Sequence, residues 1–285
     1  MSLSSQNLDA FAEVAKTGSF SRAASRLHIT QSALSQRVLN LESDLSTTLI
    51  IRDPANLRLT PAGEELLRYH QAKTSLETET LARILGSMSD IGGSVRIGSF
   101  SSLTRSVVMP AVSALVKSHQ NIHVEILTRE VGELRGALAR NQVDFILTIS
   151  EQQKQDIESE MVGFEENVLV ESTKFKSVPD VYFDHDPEDE TTTTFFRQQK
   201  INPGLTLRRA YLDEVYAIID AVELGWGRAV LPKHLIRDRK NIRIVKDYRP
   251  IKSPIYLSRY RQNYYSKLHQ MIWKNLIDNM PQHLL

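Results

Sequence analysis

"LHITQSALSQRVLNLESDL", Leu27 to Leu45, carries two patterns at once. Leu34, Val38, Leu41 and Leu45 recur at helical spacing and make an apolar stripe, whereas the other face begins with Thr30, Gln31, Ser32, Ser35, Gln36 and Arg37. A solvated helix face is ordinarily rich in lysine and glutamate. Short hydroxyls, amides and one guanidinium are instead what base edges and phosphates accept. The same residues also describe a capped helix start followed by a plain wet face, so the stretch has to be read with its surroundings.

Upstream, Leu8, Phe11, Val14 and Ala15 form one helical stripe, "TGS" breaks it, and Phe20, Ala23, Ala24 and Leu27 form a second, with Ser19 or Ser21 as its cap. Three short helices with a tight second connection, and two alanines small enough for helices to cross closely, predict a helix-turn-helix. In such a unit the later helix lies in the major groove. Downstream, Leu49 to Arg52 and Leu57 to Leu59 flank the turn signal "DPAN" as a small hairpin, a wing whose Arg52 and Arg58 would meet phosphates. Thr60 then caps a long helix that has Pro61 at its first position and Glu64 and Glu65 in its first turn.

From Ala10 to Leu45 and from Leu49 to Leu67 the chain closely resembles the N-terminal winged helix-turn-helix of LysR-type transcriptional regulators, over roughly sixty positions. Gly18-Ser19-Phe20, Ala23-Ala24, Thr30-Gln31, Ser35, Leu41-Glu42, Leu59-Thr60 and Gly63 fall where that family has them. The resemblance implies base or backbone contacts by Gln31, Ser32, Ser35 and Gln36. Two departures matter: many members carry Pro at the place of Ser32 and Arg at the place of Gln36, and the wing tip holds only Pro54, Ala55 and Asn56 where many have a basic residue. Base preference is therefore not transferable, and Arg52 and Arg58 are left as backbone contacts.

Composition agrees with a two-part chain. Its 285 residues are enough for a small and a larger domain, and 35 Lys+Arg against 34 Asp+Glu argue against a histone-like binder. No apolar run approaches the roughly 20 residues that span a bilayer, and "MSLSSQNLDA" lacks the charge pattern of a secretory signal, so the cytoplasm is the expected home. With no cysteine, disulfides, thiolate nucleophiles and cysteine-ligated metals are excluded.

Residues 60–85 read as one helix whose sparse apolar positions suit either pairing with a copy of itself or packing on its own second domain; in the family this segment is the dimerising linker. "GSMSDIGGS", with Gly86, Gly92 and Gly93, marks a hinge at 86–93. Beyond it "SVRIGSF", "HVEILT" and "VDFILTIS" alternate with helical stretches, which predicts α/β architecture with a mostly parallel sheet. This order resembles the family's effector-binding domain, two α/β lobes like type 2 periplasmic binding proteins. The expected organisation is a DNA-binding domain at 1–60, a linker helix at 60–85 and an effector domain at 94–285. Its first lobe would take 94–160 and 232–285, its second 161–231.

Ligands of open α/β sheets settle beyond the carboxyl ends of strands. The candidates are Ser99, Phe100, Ser101 and Ser102 after the first strand, Thr128 and Arg129 after the second, and Thr148 and Ser150 after the third. In the second lobe "PDVYFDHDPEDETTTTFFRQQ" would deliver Asp184, His185 and Asp186 from a strand at Val181 to Phe183. Each has a plainer reading as cap, turn or solvated loop. Trp226, between two glycines, is a packing residue or a cleft wall. The acidic loop, together with "TQSALSQRV" and "LGWGRAVLP", is similar to the branch with arginine and lysine export regulators. That likeness implies an amino acid or related small amine, its carboxylate at Ser99 to Ser102 and its amine at Asp184 to Asp186.

No Gly-x-Ser-x-Gly elbow, Walker loop or His-Glu-x-x-His occurs, and His119 and His123 straddle a helix end, so no catalytic residue, metal or cofactor is expected. The reading is a ligand-responsive regulator of double-stranded DNA, by resemblance a homodimer through the linker and a homotetramer of two dimers. RNA polymerase is a candidate further partner. Two alternatives stand beside it: an architectural or replication-control DNA binder without effector response, and a stand-alone binding protein or enzyme with a degenerate head.

Overall fold

The structure is a computed structural model and describes residues 3–52, 57–84, 91–178, 180–201 and 207–284. The wing tip Asp53 to Asn56 and Gly86 of the hinge lie outside the described residues. At the amino end α1 (Ser5–Thr17), α2 (Phe20–Arg26) and α3 (Gln31–Asp44) pack into one core of Leu8, Phe11, Val14, Ala23, Ala24, Leu34, Val38 and Leu41. Gly18 ends α1 in the left-handed region at φ 62°, its N–H bonding the Val14 carbonyl at 2.9 Å. Ser19 is the residue that caps α2, accepting from Arg22 N–H. His28, at φ 53°, takes the left-handed position after α2, so that Ile29 N–H reaches Ala24 O at 3.1 Å and the chain turns sharply into α3.

The wing is β1 (Ile50–Arg52) antiparallel to β2 (Leu57–Leu59), with Ile51 opposite Arg58. Glu42, near the end of α3, fixes its entry, because one carboxylate oxygen accepts from Leu49 and Ile50 N–H at 2.7 and 3.1 Å. Thr60 caps α4 (Pro61–Ile84), accepting from Gly63 N–H at 3.1 Å and donating to Thr48 O at 2.8 Å. Gly63 has to be glycine, since a Cβ there would run into the Leu49 carbonyl oxygen. At 1.5 Å per residue α4 is about 36 Å long.

The larger part begins with β3 (Gly93–Ser99), α5 (Ser101–Leu103), a π-helical turn (Thr104–Val108), α6 (Met109–Ser118), β4 (Ile122–Thr128), α7 (Val131–Ala139) and β5 (Phe145–Thr148). A long β6 (Ile157–Ser172) leads to β7 (Val181–Asp184), α8 (Thr191–Gln198), β8 (Arg208–Tyr211), α9 (Val215–Glu223), β9 (Arg228–Pro232) and α10 (Lys233–Ile236). The chain ends with β10 (Ile242–Ile244), β11 (Ile251–Tyr260), α11 (Lys267–Asn279) and α12 (Pro281–Leu284).

These strands form one sheet in the order β4-β3-β5-β11-β6-β9-β7-β8, with β10 also on β6. The expected mostly parallel sheet is corrected here. Each flank, β4-β3-β5 and β9-β7-β8, is parallel, but β11 and β6 between them pair antiparallel to each other and to their neighbours. A chain that leaves one half and later returns must cross the middle in both directions, and that produces an antiparallel pair. The register also fixes where the flanks point. β5 runs from Ile146 opposite Ser258 to Thr148 opposite Tyr256, and β9 runs from Ala229 opposite Val170 to Pro232 opposite Asn167. Both sets of carboxyl ends therefore face one another across residues 161–167 of β6.

Candidate DNA interface and effector cleft

Thr30 starts α3, accepting from Ala33 N–H at 3.2 Å and sharing a hydrogen bond with Ser32 at 3.0 Å. Leu34, Val38 and Leu41 point inward and are fully buried, which leaves Gln31, Ser32 and Gln36 exposed and Ser35 and Arg37 half-buried on the outer side. Gln36 donates to Asn40 at 2.8 Å and keeps its second amide hydrogen for an external acceptor. Within the described residues Gln31, Ser35 and Arg37 form no side-chain hydrogen bond or ion pair. On the wing, Arg52 lies 4.6 Å above the Phe20 ring and is exposed, and Arg58 is exposed on the facing strand.

The strand ends are differently arranged. Ser99 pairs with Thr128, Arg129 N–H bonds Ser99 O at 3.0 Å, and Thr128 meets Thr104 at 3.2 Å, so the first-half candidates Ser99, Phe100, Ser101, Thr128 and Arg129 share one edge with Thr148. Several of their polar groups are already engaged. Ser99 is fully buried, Ser102 donates to Glu165 at 3.1 Å, and Thr148 donates to Ser150 O at 2.8 Å. Ser101 is half-buried at the start of α5.

In the second half Asp184 is committed as well. Thr192 donates to one of its oxygens at 2.5 Å and Arg209 to the other at 2.6 Å. Arg209 also donates to the carbonyls of Asp186, Pro187 and Asp189, so the acidic loop is folded around a cation of its own. Burial pushes the Asp184 carboxyl above its usual value, against the hydrogen bonds from Thr192 and Arg209. Both oxygens of Asp184 are thus already engaged within the protein. In the loop beyond it Asp186 accepts from Glu188 and Asp189 N–H, and His185 Nδ1 stands 3.8 Å from Asp186 and 3.6 Å from Asp213. Trp226 belongs to neither cluster. It precedes β9, whose Arg228 lies beside Tyr182, so it sits at the amino end of the strands, opposite Asp184, and its side is exposed.

Comparison with known proteins decides the family. A family model for a bacterial regulatory helix-turn-helix protein, lysR family, matches residues 5–64, and one for a LysR substrate binding domain matches residues 89–281. The chain belongs to the LysR family. The HTH-type transcriptional regulator HdfR from Yersinia enterocolitica is 28% identical over 290 residues, covering 96% of this chain and 97% of its own. HdfR from Yersinia pestis is 26% identical over 292 residues with the same coverage. The crystal structure of ArgP from Mycobacterium tuberculosis superposes with a TM-score of 0.76 at 20% identity, covering 97% of both chains. Full-length LTTR LysG from Corynebacterium glutamicum with bound effector Arg gives 0.72 at 19% identity and the same coverage. The two-lobed architecture is therefore the family's. This LysR-type protein is a DNA-binding transcriptional regulator with an effector-binding domain. Its relatives are named as regulators and not as enzymes, so the architectural and stand-alone alternatives are not favoured. Regulators of this type bind DNA and small molecules and form oligomers.

The long helix α4 is engaged on one side only. One side of α4 docks on its own first lobe: Glu79 accepts from Tyr264 Oη at 2.6 Å and Lys267 N–H at 2.7 Å, and Arg68 lies 4.6 Å over the Tyr260 ring. Tyr69, Leu76, Leu81 and Ile84 remain exposed. A cleft of about 550 Å³ opens between α1, α4 and the edge of this lobe, away from the strand ends, walled by His70, Gln71, Arg96, Asp144 and His269. Burial alone would raise the Asp144 carboxyl, but His269, 3.6 Å away, and Arg96, which donates to both carboxylate oxygens, outweigh it and hold it at about 2. Sequence reasoning missed Glu42, Glu165, Arg209 and His234 as organising groups. Only Glu42, in the family pattern, had a local signal. Among the described residues no helix is long and apolar enough to cross a membrane.

Proposed function

We propose that this regulator reads an operator through the outer face of α3 and answers to an amino acid or related small amine held between its lobes. The observation that carries the first half is the polar outer face of α3, on which Gln31, Ser35 and Arg37 have no side-chain partner among the described residues. Gln31, Ser32, Ser35 and Gln36 would meet base edges, Thr30 the backbone beside them, and Arg37, Arg52 and Arg58 the phosphates. The domain limits are proposed as 1–60, 60–85 and 94–285, with lobes at 94–160 plus 232–285 and at 161–231. Two heads would be joined through the exposed apolar stripe of α4, and two dimers would make a tetramer, which converts weak half-sites into one long operator. RNA polymerase would be the further partner when promoter-bound, and DNA as a partner supports a cytoplasmic home.

For the effector, support comes from charge. Around the first-lobe edge Arg129, Ser101 and the start of α5 suit a carboxylate, while Asp186, Glu188, Asp189 and Asp213 exceed what Arg209 and His185 can offset and suit an amine. The LysG likeness, with its bound Arg, points the same way. Calorimetry on the full chain with arginine, lysine and other amino acids tests this. Heat with a basic amino acid is expected; none with any amino acid, and strong heat with an aromatic or dicarboxylic acid, would discard it. A ligand can act only by binding one assembly state more tightly than the other, so the same ligand should also change the DNA shift.

A further inference from the structure

Four side chains from three separate segments close a ring of hydrogen bonds at the junction of the lobes. Ser102 Oγ donates to Glu165 Oε1 at 3.1 Å, His234 Nε2 lies 3.0 Å from the same oxygen, His234 Nδ1 lies 2.8 Å from Ser106 Oγ, and Ser106 Oγ donates to the Ser102 carbonyl at 2.7 Å. The His234 side chain is fully buried and that of Glu165 is 7% exposed. Ser102 and Ser106 flank the start of the π-helical turn in the first lobe. Glu165 sits in the middle of β6, the outward crossing, and His234 comes two residues after Pro232, where the chain begins its return. Its neighbour Leu235 packs in the second lobe's core with Val168, Val215 and Ile219. Residues 234 and 235 thus reach into different lobes.

A buried ionisable pair is a poor source of stability compared with apolar packing, but it is directional, and its hydrogen bonds weaken steeply when bent. Rotating one lobe against the other moves Glu165 relative to Ser102 and His234, and the ring must then break or drag the turn after β3 with it. A π-helical turn, with its wider i→i+5 spacing, is a place where a helix start can be re-aimed. We propose that Glu165 and His234 are positioning residues that tie the geometry of the Ser99–Ser102 turn to the angle between the lobes. This rests on the reading that an effector meets that turn, and it assigns no ligand contact to either residue.

The test is hydrogen exchange on the full chain without ligand, comparing wild type with Glu165→Leu, which removes the acceptor, and Glu165→Gln, which keeps Oε1. Glu165→Leu should speed exchange in residues 101–108 and 232–236 together, on the order of ten-fold, the effect expected for a lost buried hydrogen bond, while α11 and α1–α3 stay protected. Glu165→Gln should stay close to wild type. Ser106→Ala, which frees His234 Nδ1 without touching β6, should produce the same paired response and decides the matter if Glu165→Leu does not fold. Exchange rising in β6 alone, or Gln behaving like Leu, would overturn the proposal. Because no effector is present, coupled exchange in a protein that binds no amino acid leaves this assignment standing and removes only the effector reading. Amino-acid binding without coupled exchange does the reverse.

Discussion

The outer face of α3 and the strand ends of the lobes are both rich in hydroxyls, amides and charges, yet they differ in what those groups are doing. On α3 the polar atoms of Gln31, Ser35 and Arg37 have no protein partner within the described residues, so water or DNA must supply one. At the strand ends Ser102, Thr148 and Asp184 have spent theirs on Glu165, Ser150 and on Thr192 with Arg209. A face that meets a rigid duplex can be built from free groups presented on one helix, whereas a cleft that has to hold its shape without ligand satisfies its own buried polar atoms first.

This contrast can be broken most readily on α3. Ser35→Glu places a carboxylate against phosphates and should weaken DNA binding roughly hundred-fold or more in a gel shift, with the heat of any bound amino acid unchanged. Loss of both would mean that the fold had failed. Gly63→Ala forces the α4 start off the Leu49 carbonyl and should cost about 1–3 kcal/mol of stability in the head, read by thermal melting of the amino-terminal signal. At the amino end of β5, away from both regions, Asp144 has a folded-state carboxyl pKa of about 2 against an ordinary 3.8. Its stabilisation is fully present above pH 3.8 and is lost as pH falls through about 2. Asp144→Asn should therefore cost about 2 kcal/mol in denaturant melts at pH 7, with the gap closing toward pH 2. The smallest effect is expected at the wing, where Arg52→Ala should reduce the slope of log affinity against log salt by about 0.9 while leaving sequence preference alone.

How much of this was legible in the sequence follows from distance along the chain. The head could be read because its determinants are neighbours: the cap at Thr30, the stripe from Leu34 to Leu45 and the Thr60-Pro61 start each act within a few residues. The sheet was only half legible. β6 reads "IESEMVGFEENVLVES", where charged residues interrupt the apolar run, because its two ends lie in different lobes and its middle borders the cleft. The partners of the effector candidates were the least legible. Asp184 meets its counter-ion Arg209 25 residues later and Glu165 meets His234 69 residues later, and no spacing rule predicts such pairings. Trp226 drew notice through its flanking glycines, but only the register of β7 and β9 shows which end of the strands it occupies.

Because the chain has no cysteine, a single one introduced at Gln36 and labelled with an iron chelate is a unique probe of where α3 lies. Bound to a duplex that the wild-type protein selects from a randomised pool, this conjugate should cut both strands at the edges of a major groove within each half-site. If the labelled protein still shifts that duplex but leaves it uncut, while a chelate placed elsewhere on the chain cuts it, α3 does not enter the groove and the account of this regulator is wrong.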